Sequence, residues 1–174
     1  GLGDVYKRQV IKLGTNVLRN ADGEVAISRI YSFIEDMAKL VKQGKEVILV
    51  TSGAVGLGKK KLNLESTAED GVKQACAAIG QSRLMSFYEN GFGIYDVPIA
   101  QILLTEDDFS LRYRYLSLRT TLNKILEFGV VPIINQNDTV STIEMNPMMS
   151  GMKVCFADND KLSALCLLYT SDAA

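Results

Sequence analysis

Two turns that follow apolar strands carry residues able to bind an anion. Lys12 lies inside a short apolar strand that ends at Gly14. A lysine in such a strand is costly to bury unless it meets an anion. Ser52 and Gly53 follow the apolar run Val47–Val50, and small residues there let a charged group approach backbone N–H groups closely. The two turns predict an anionic substrate held between several loops.

Alternating strand and helix patterns must position these turns. Helical periodicity is found at Ile27–Lys42, at Glu69–Tyr88, from an N-cap at Thr105 to about Phe128, and at Asn159–Leu168. Buried strands are predicted at Val47–Val50, Pro98–Leu104 and Val130–Ile134. This alternation indicates βαβ units, a largely parallel sheet and right-handed crossovers. Open α/β sheets of this kind bind ligands at the carboxyl ends of their strands.

Composition excludes several classes of function. The chain has 174 residues, a net charge of −1 and no histidine, which removes the Ser-His-Asp triad and most zinc sites. No residue is therefore assigned to a metal. The basic run Lys59–Lys61 is too short to indicate nucleic acid and is interpreted as a solvated helix end. No apolar run reaches the ~18 residues that a membrane helix needs.

Five motifs occur in one order and spacing. They are Val10-Ile-Lys-Leu-Gly-Thr15, Val50-Thr-Ser-Gly-Ala54, Ala78-Ile-Gly-Gln-Ser-Arg-Leu84, Ile134-Asn-Gln-Asn-Asp-Thr139 and Asp158-Asn-Asp-Lys-Leu-Ser-Ala164. Together they resemble the N-terminal part of the glutamate 5-kinases, the γ-glutamyl kinases of the amino acid kinase family. The resemblance covers roughly residues 10–165. It implies an incomplete amino acid kinase fold, an α/β three-layer αβα sandwich with a mainly parallel sheet.

The resemblance also implies an activity. Glutamate 5-kinases phosphorylate the side-chain carboxylate of L-glutamate with ATP, giving L-glutamyl 5-phosphate in the first step of proline biosynthesis. A carboxylate with a pKa of ~4.3 is already ionised, so the reaction needs no general base and tolerates the lack of histidine. The implied cofactors are ATP and the Mg²⁺ that it carries. The implied partners are L-glutamate, ATP, proline as a feedback inhibitor and, at full length, other copies in a homo-oligomer. Separately, the odd number and wide spacing of the cysteines indicate reduced thiols of a cytoplasmic protein. The charge and hydropathy described above predict no nucleic acid or membrane as a partner of this part.

Site residues are carried over from the resemblance position by position. Lys12 is expected to contact the transferred phosphate, together with the backbone at Gly14. Asp160 is expected to orient the amine of Lys12. The residues expected to bind or line the pocket for glutamate are Ser52, Gly53, Asn135, Asp138, Asp158 and Asn159, with Asp138 accepting a hydrogen bond from the α-ammonium group.

Each of these residues also has a purely structural interpretation. Lys12 could extend to water from an edge strand, Ser52-Gly53 could be an ordinary βα turn, Asp138 could stabilise a turn, and Asn159 could cap a helix. The motif around Gly80 is interpreted as helix packing. Two other functions remain open, namely another amino acid kinase, such as a carbamate or aspartate kinase, and a non-catalytic small-molecule sensor on the same fold.

The part of the chain that resembles a kinase domain does not extend to either end of the sequence. Residues 10–167 are assigned to the N-terminal part of an amino acid kinase domain, and this part alone is expected to be inactive. Residues 1–9 and 168–174 fit neither the family nor the local pattern and are interpreted as non-native ends. The methionine-rich segment 142–154 is expected to be a hairpin or an excursion loop.

Overall fold

The described part of the chain builds one parallel sheet with helices on both faces. The structure is a computed structural model, and it describes residues 7–21, 23–67, 69–105, 107–140 and 163. The strands are β1 (Arg8–Leu13), β2 (Glu46–Thr51), β3 (Ile99–Leu104) and β4 (Val131–Gln136). The helices are α1 (Thr15–Leu18), α2 (Ile27–Lys42), α3 (Ala54–Lys61), α4 (Val72–Gly93), α5 (Asp107–Ser110) and α6 (Arg112–Glu127). None of the helices within the described residues has the length and apolarity needed to cross a membrane.

The strand order explains why helices cover both faces. All neighbouring strands are parallel, and the order is β1-β2-β4-β3. The chain moves in one direction from β1 through β2 to β3, and then returns to β4. Because crossovers are right-handed, the reversal places α6 on the face opposite α2 and α4. The predicted three-layer αβα arrangement is confirmed.

Strand β2 is the centre of the core. Val47 and Leu49 face the cluster formed with α2 and α4, whereas Ile48 and Val50 face the cluster formed with α6. All four side chains are at most 1% exposed. The prediction that this run is buried on both faces is therefore confirmed, and it follows from the two-residue alternation of a strand between two helical layers.

Helix α2 has the predicted bounds and the predicted end. Its buried residues, Ile30, Ile34 and Met37, follow the expected helical spacing. The N–H of Gly44 donates to the carbonyl of Val41, and the next N–H, of Lys45, donates to Leu40. This pair of bonds is a Schellman motif, and it requires the left-handed backbone that Gly44 adopts at a φ of +79°.

Two predicted elements differ from the structure. The helix expected from Thr105 to about Phe128 is divided into α5 and α6, because Leu111 has an extended backbone between them. The carboxylate of Asp108 accepts hydrogen bonds from both the N–H and the hydroxyl of Thr105, which holds the first turn as a separate unit. The strand predicted as buried at Pro98–Leu104 is β3, which pairs only with β4 among the described strands and is half-exposed.

Helix α4 begins at Val72 and ends at Gly93, later at both ends than the predicted Glu69–Tyr88. Of the apolar positions that predict it, Cys76 and Leu84 are fully buried, whereas Ile79 is 39% exposed. The buried face also includes Gly80, where a Cβ atom would stand 1.7 Å from the carbonyl oxygen of Ala54. Gly58 on α3 meets α4 equally closely, with a Cβ position 1.9 Å from the carbonyl oxygen of Cys76. The interpretation of Gly80 as a packing residue is confirmed.

This contact predicts opposite effects for two glycine substitutions in the same helix. Gly80→Ala places a methyl group against the backbone of α3 and should lower the free energy of unfolding by about 1–3 kcal/mol or more. Gly93→Ala is the matched control, because a Cβ there meets nothing within 4 Å. It should be neutral or stabilising by up to about 1 kcal/mol, since alanine favours helix. Urea unfolding measures both, and equal effects would contradict the packing assignment.

Candidate functional site

The two anion-binding turns predicted from sequence lie side by side. Strands β1 and β2 are paired up to Leu13 and Thr51, so the turns that follow leave the sheet at the same edge. The hydroxyl groups of Thr15 and Ser52 are 3.2 Å apart and share a hydrogen bond. The Ser52 hydroxyl also donates to the carbonyl of Leu13 at 3.3 Å. These bonds fix the Ser52 turn to the end of β1.

Lys12 lies one residue before the end of β1, on the face covered by α6. Its neighbours in register across the sheet are Val50 and Ile134, which both belong to the core cluster on that face. The side chain is only half-buried because β1 pairs on one side only among the described strands. Its Cε and Nζ atoms are each 3.9 Å from the position that a Cβ of Gly14 would take. The ammonium group thus lies over the turn at the carboxyl end of the strand.

The N-terminus of α3 forms the other side of this edge. Gly53 has a φ of +95°, which glycine adopts readily and other residues rarely do. The first helical hydrogen bond runs from the N–H of Leu57 to the carbonyl of Gly53. Gly53, the N-cap residue, has no side chain with which to cap the first N–H groups of α3. Uncapped N–H groups at a helix N-terminus, with the helix dipole behind them, favour an anion.

Asn135 and Asp138 come from the end of β4, next to β2 in the sheet. Asn135 is 3% exposed, and its amide donates to the side-chain oxygen of Gln81 at 2.9 Å while its own oxygen accepts from the N–H of Gln136. It therefore connects β4 to α4. Asp138 is half-buried in the turn after the strand, where the preceding Asn137 donates its N–H to the carbonyl of Leu104.

Sequence reasoning missed a buried hydrogen bond directly behind the Ser52 turn. The hydroxyl groups of Thr51 and Tyr88 are 2.6 Å apart, and both residues are fully buried. Burial raises the pKa of Tyr88 to about 12, against a smaller lowering effect of the bond to Thr51. The available signal was that Thr51 alternates with Ile48 and Val50 and so must face the α4 layer, where a buried hydroxyl needs a partner.

The predicted site residues that the structure describes lie at one edge of the sheet. Lys12, Gly14, Ser52 and Gly53 surround the ends of β1 and β2, while Asn135 and Asp138 follow from β4. The predicted positions Asp158, Asn159 and Asp160 are outside the described residues, as is segment 142–154. Within the predicted helix Asn159–Leu168, Ser163 alone is described, and it is helical.

Comparison with known proteins decides the family. The family model described as the amino acid kinase family matches residues 7–166. The chain belongs to the amino acid kinase family. The match includes Arg8 and Gln9, which pair with Glu46 and Val47 in the sheet. The Arg8 guanidinium also donates to the Glu46 carboxylate at 2.7 Å.

Individual relatives agree with this assignment. A glutamate 5-kinase of Desulfotalea psychrophila is 47% identical over 164 residues, covering 93% of this chain and 41% of that protein. One of Geobacter metallireducens is 46% identical, covering 91% of this chain and 40% of that protein. The chain thus spans about two fifths of the length of these curated relatives. A solved UMP kinase of Ureaplasma parvum shares the fold, with a TM-score of 0.54 at 16% identity over 94% of this chain and 64% of that chain.

The burial of the Tyr88 hydroxyl predicts a stability that depends on pH above 10. Folding raises the pKa of Tyr88 from ~10 to about 12. The stability that the neutral phenol of Tyr88 contributes to the folded chain is therefore complete below pH ~10 and is lost as the pH rises through 12. Between pH 8 and pH 11 the native sequence should lose about 1 kcal/mol more than Tyr88→Phe. Urea unfolding of both at the two pH values tests this, and parallel losses would show that Tyr88 ionises as readily in the folded chain.

Proposed function

We propose that this chain forms the glutamate side and part of the phosphate side of a glutamate 5-kinase. The observation that carries the proposal is the hydrogen bond between Thr15 and Ser52, which joins the Lys12 turn to the N-terminus of α3. The Lys12 ammonium group and the N-terminal N–H groups of α3 then lie at one sheet edge. The two bacterial relatives described above are named glutamate 5-kinases, so the reaction to test is the phosphorylation of glutamate.

The residues present fit the phosphate part of a nucleotide. The ammonium of Lys12 lies over Gly14, where no side chain blocks the backbone. A phosphate group there would meet one formal positive charge and exposed N–H groups, which is the environment that phosphoryl transfer needs. ATP, with the Mg²⁺ that it carries, is the proposed cofactor and supplies the phosphoryl group.

The glutamate would occupy the remaining part of the edge. Its ionised side-chain carboxylate would lie at Ser52 and Gly53, near the N-terminus of α3, because anions are stabilised there. Its α-ammonium group would be bound by Asp138 on the turn after β4. Asn135, Asp158 and Asn159 are proposed to complete the pocket, and Asp160 to orient Lys12. Because no general base is required, these residues would act by aligning the glutamate carboxylate with the phosphate of ATP, two anions that otherwise repel each other.

Substrate tests distinguish the remaining candidates. A carbamate kinase or an aspartate kinase would use the same phosphate site with a different acceptor, and a sensor would bind a ligand without turnover. The proposal further includes a cytoplasmic location, a homo-oligomeric whole protein and inhibition by proline. The oligomeric state and the inhibition by proline are to be measured on the polypeptide extended to the length of its relatives. Gel filtration measures the first, and inhibition kinetics measure the second.

Lys12→Ala in that extended polypeptide should reduce kcat about 10²-fold or more, because a preorganised positive charge is lost at the transferred phosphate. Glutamyl phosphate trapped as hydroxamate measures the turnover. Lys42→Ala, at the exposed end of α2, is the matched control and should leave kcat unchanged. An unchanged kcat in Lys12→Ala would remove Lys12 from the mechanism. Turnover of carbamate or aspartate in place of glutamate would contradict the proposed substrate.

Asp138→Asn should raise KM for glutamate about tenfold to a hundredfold, since a charge-assisted hydrogen bond to the ammonium group is worth about 1.5–3 kcal/mol. KM for ATP should remain nearly constant, which makes it the internal control. Steady-state kinetics with each substrate varied in turn gives both values. Equal increases in the two constants would indicate that Asp138 supports the whole edge and does not bind the amino acid.

A further inference from the structure

A second concave site lies on the outer side of α3, away from the Lys12 turn. It is a cavity of about 310 Å³ between the segment before α2, the second half of α3 and the middle of α4. Its apolar lining comes from Val25, Ile27, Leu57 and Phe87. This volume is near the lower limit for small-molecule sites, so the cavity suits a small ligand with an apolar body.

The charged residues of the cavity are mostly cationic. Lys60, Lys61 and Arg83 line it, and Glu24 is the one acidic residue among the lining residues. The lysines lie in the last turn of α3 and are exposed there. We refer to this site, with its apolar lining and these four charged residues, as the basic pocket. Its excess of positive charge favours an anionic ligand.

Glu24 already shows where a carboxylate binds in the basic pocket. Its side chain makes an ion pair with the ammonium of Lys60. The two side chains are 60% and 48% exposed, respectively. An ion pair this exposed is worth little, so an incoming carboxylate can compete with Glu24 for Lys60.

Arg83 provides the group best suited to a second contact. Its guanidinium carbon is 5.9 Å from the centre of the Phe87 ring, and both residues line the cavity. This distance is within the range of a cation–π interaction, and the planar fork of the guanidinium can bind a carboxylate through two parallel hydrogen bonds. The ring beside it would contact the apolar part of the same ligand.

We propose that the basic pocket binds a small organic monocarboxylate with an apolar body, at a site separate from the edge that carries Lys12 and Ser52. The carboxylate is bound by Arg83 and the lysines of α3, and the apolar part covers Leu57 and Phe87. Because the ligand touches both α3 and α4, it binds the folded chain and raises its thermal midpoint. The proposal does not depend on the kinase activity.

Hexanoate is the probe, and hexanamide is its uncharged counterpart of the same shape. Hexanoate should bind the chain saturably in isothermal titration and raise the thermal midpoint, whereas hexanamide should do neither at the same concentrations. Arg83→Gln should weaken hexanoate binding about tenfold, as expected for loss of a charge-assisted contact. Lys42→Gln removes an exposed charge outside the pocket and should leave the affinity unchanged.

Glu24→Gln gives the sharpest result because its effect has the opposite sign. Removing the internal carboxylate frees Lys60 and should tighten hexanoate binding about two- to fivefold. All variants alter exposed side chains, and their thermal midpoints without ligand confirm that they fold. Equal binding of hexanamide, no saturable binding of hexanoate, or an unchanged affinity in Arg83→Gln or Glu24→Gln would each overturn the proposal.

Discussion

The close contact between α3 and α4 determines the geometry of the candidate site. The chain leaves β2 at Thr51, turns at Gly53 and enters α3, so the position of that helix fixes where its N-terminal N–H groups point. Gly58 and Gly80 let the two backbones approach to a distance that no side chain would allow. A wider separation would move the start of α3, and with it the Ser52 turn, away from Lys12.

Two buried polar contacts hold the strand ends against the same helix. Thr51 at the end of β2 bonds to Tyr88, and Asn135 at the end of β4 bonds to Gln81. Apolar packing is tolerant of small shifts, whereas a buried hydrogen bond is costly to break and depends on direction. These contacts therefore give the edge a defined shape, because Thr51 adjoins Ser52 and Asn135 is itself proposed to line the glutamate pocket.

The sequence predicted the regular elements better than the contacts between them. Helix α2 and strand β2 were found correctly because their apolar residues follow one period without interruption. Helix α4 is predicted less exactly because glycine and polar residues occupy part of its buried face, so the apolar periodicity assigns the exposed Ile79 to the core together with the buried Cys76 and Leu84. The division after Ser110 follows from local hydrogen bonds between Thr105 and Asp108 that apolar periodicity does not report. The half-exposed position of β3 depends on tertiary pairing, which periodicity does not report either.

The site residues were predictable for a different reason. Lys12 and Ser52 stand out because a charged or hydroxyl residue at the end of an apolar strand needs an explanation, and the parallel sheet brings such ends together. Tyr88 and Gln81 gave no such signal, since a tyrosine or glutamine in a long helix is unremarkable until its partner is known. The alternation along β2 separates the two roles: Thr51 faces α4 and holds the edge, while Lys12 lies on the opposite face of the half-exposed β1. The lysine can therefore keep its charge partly hydrated near the phosphate position, while the polar contacts that orient the edge stay dry behind it.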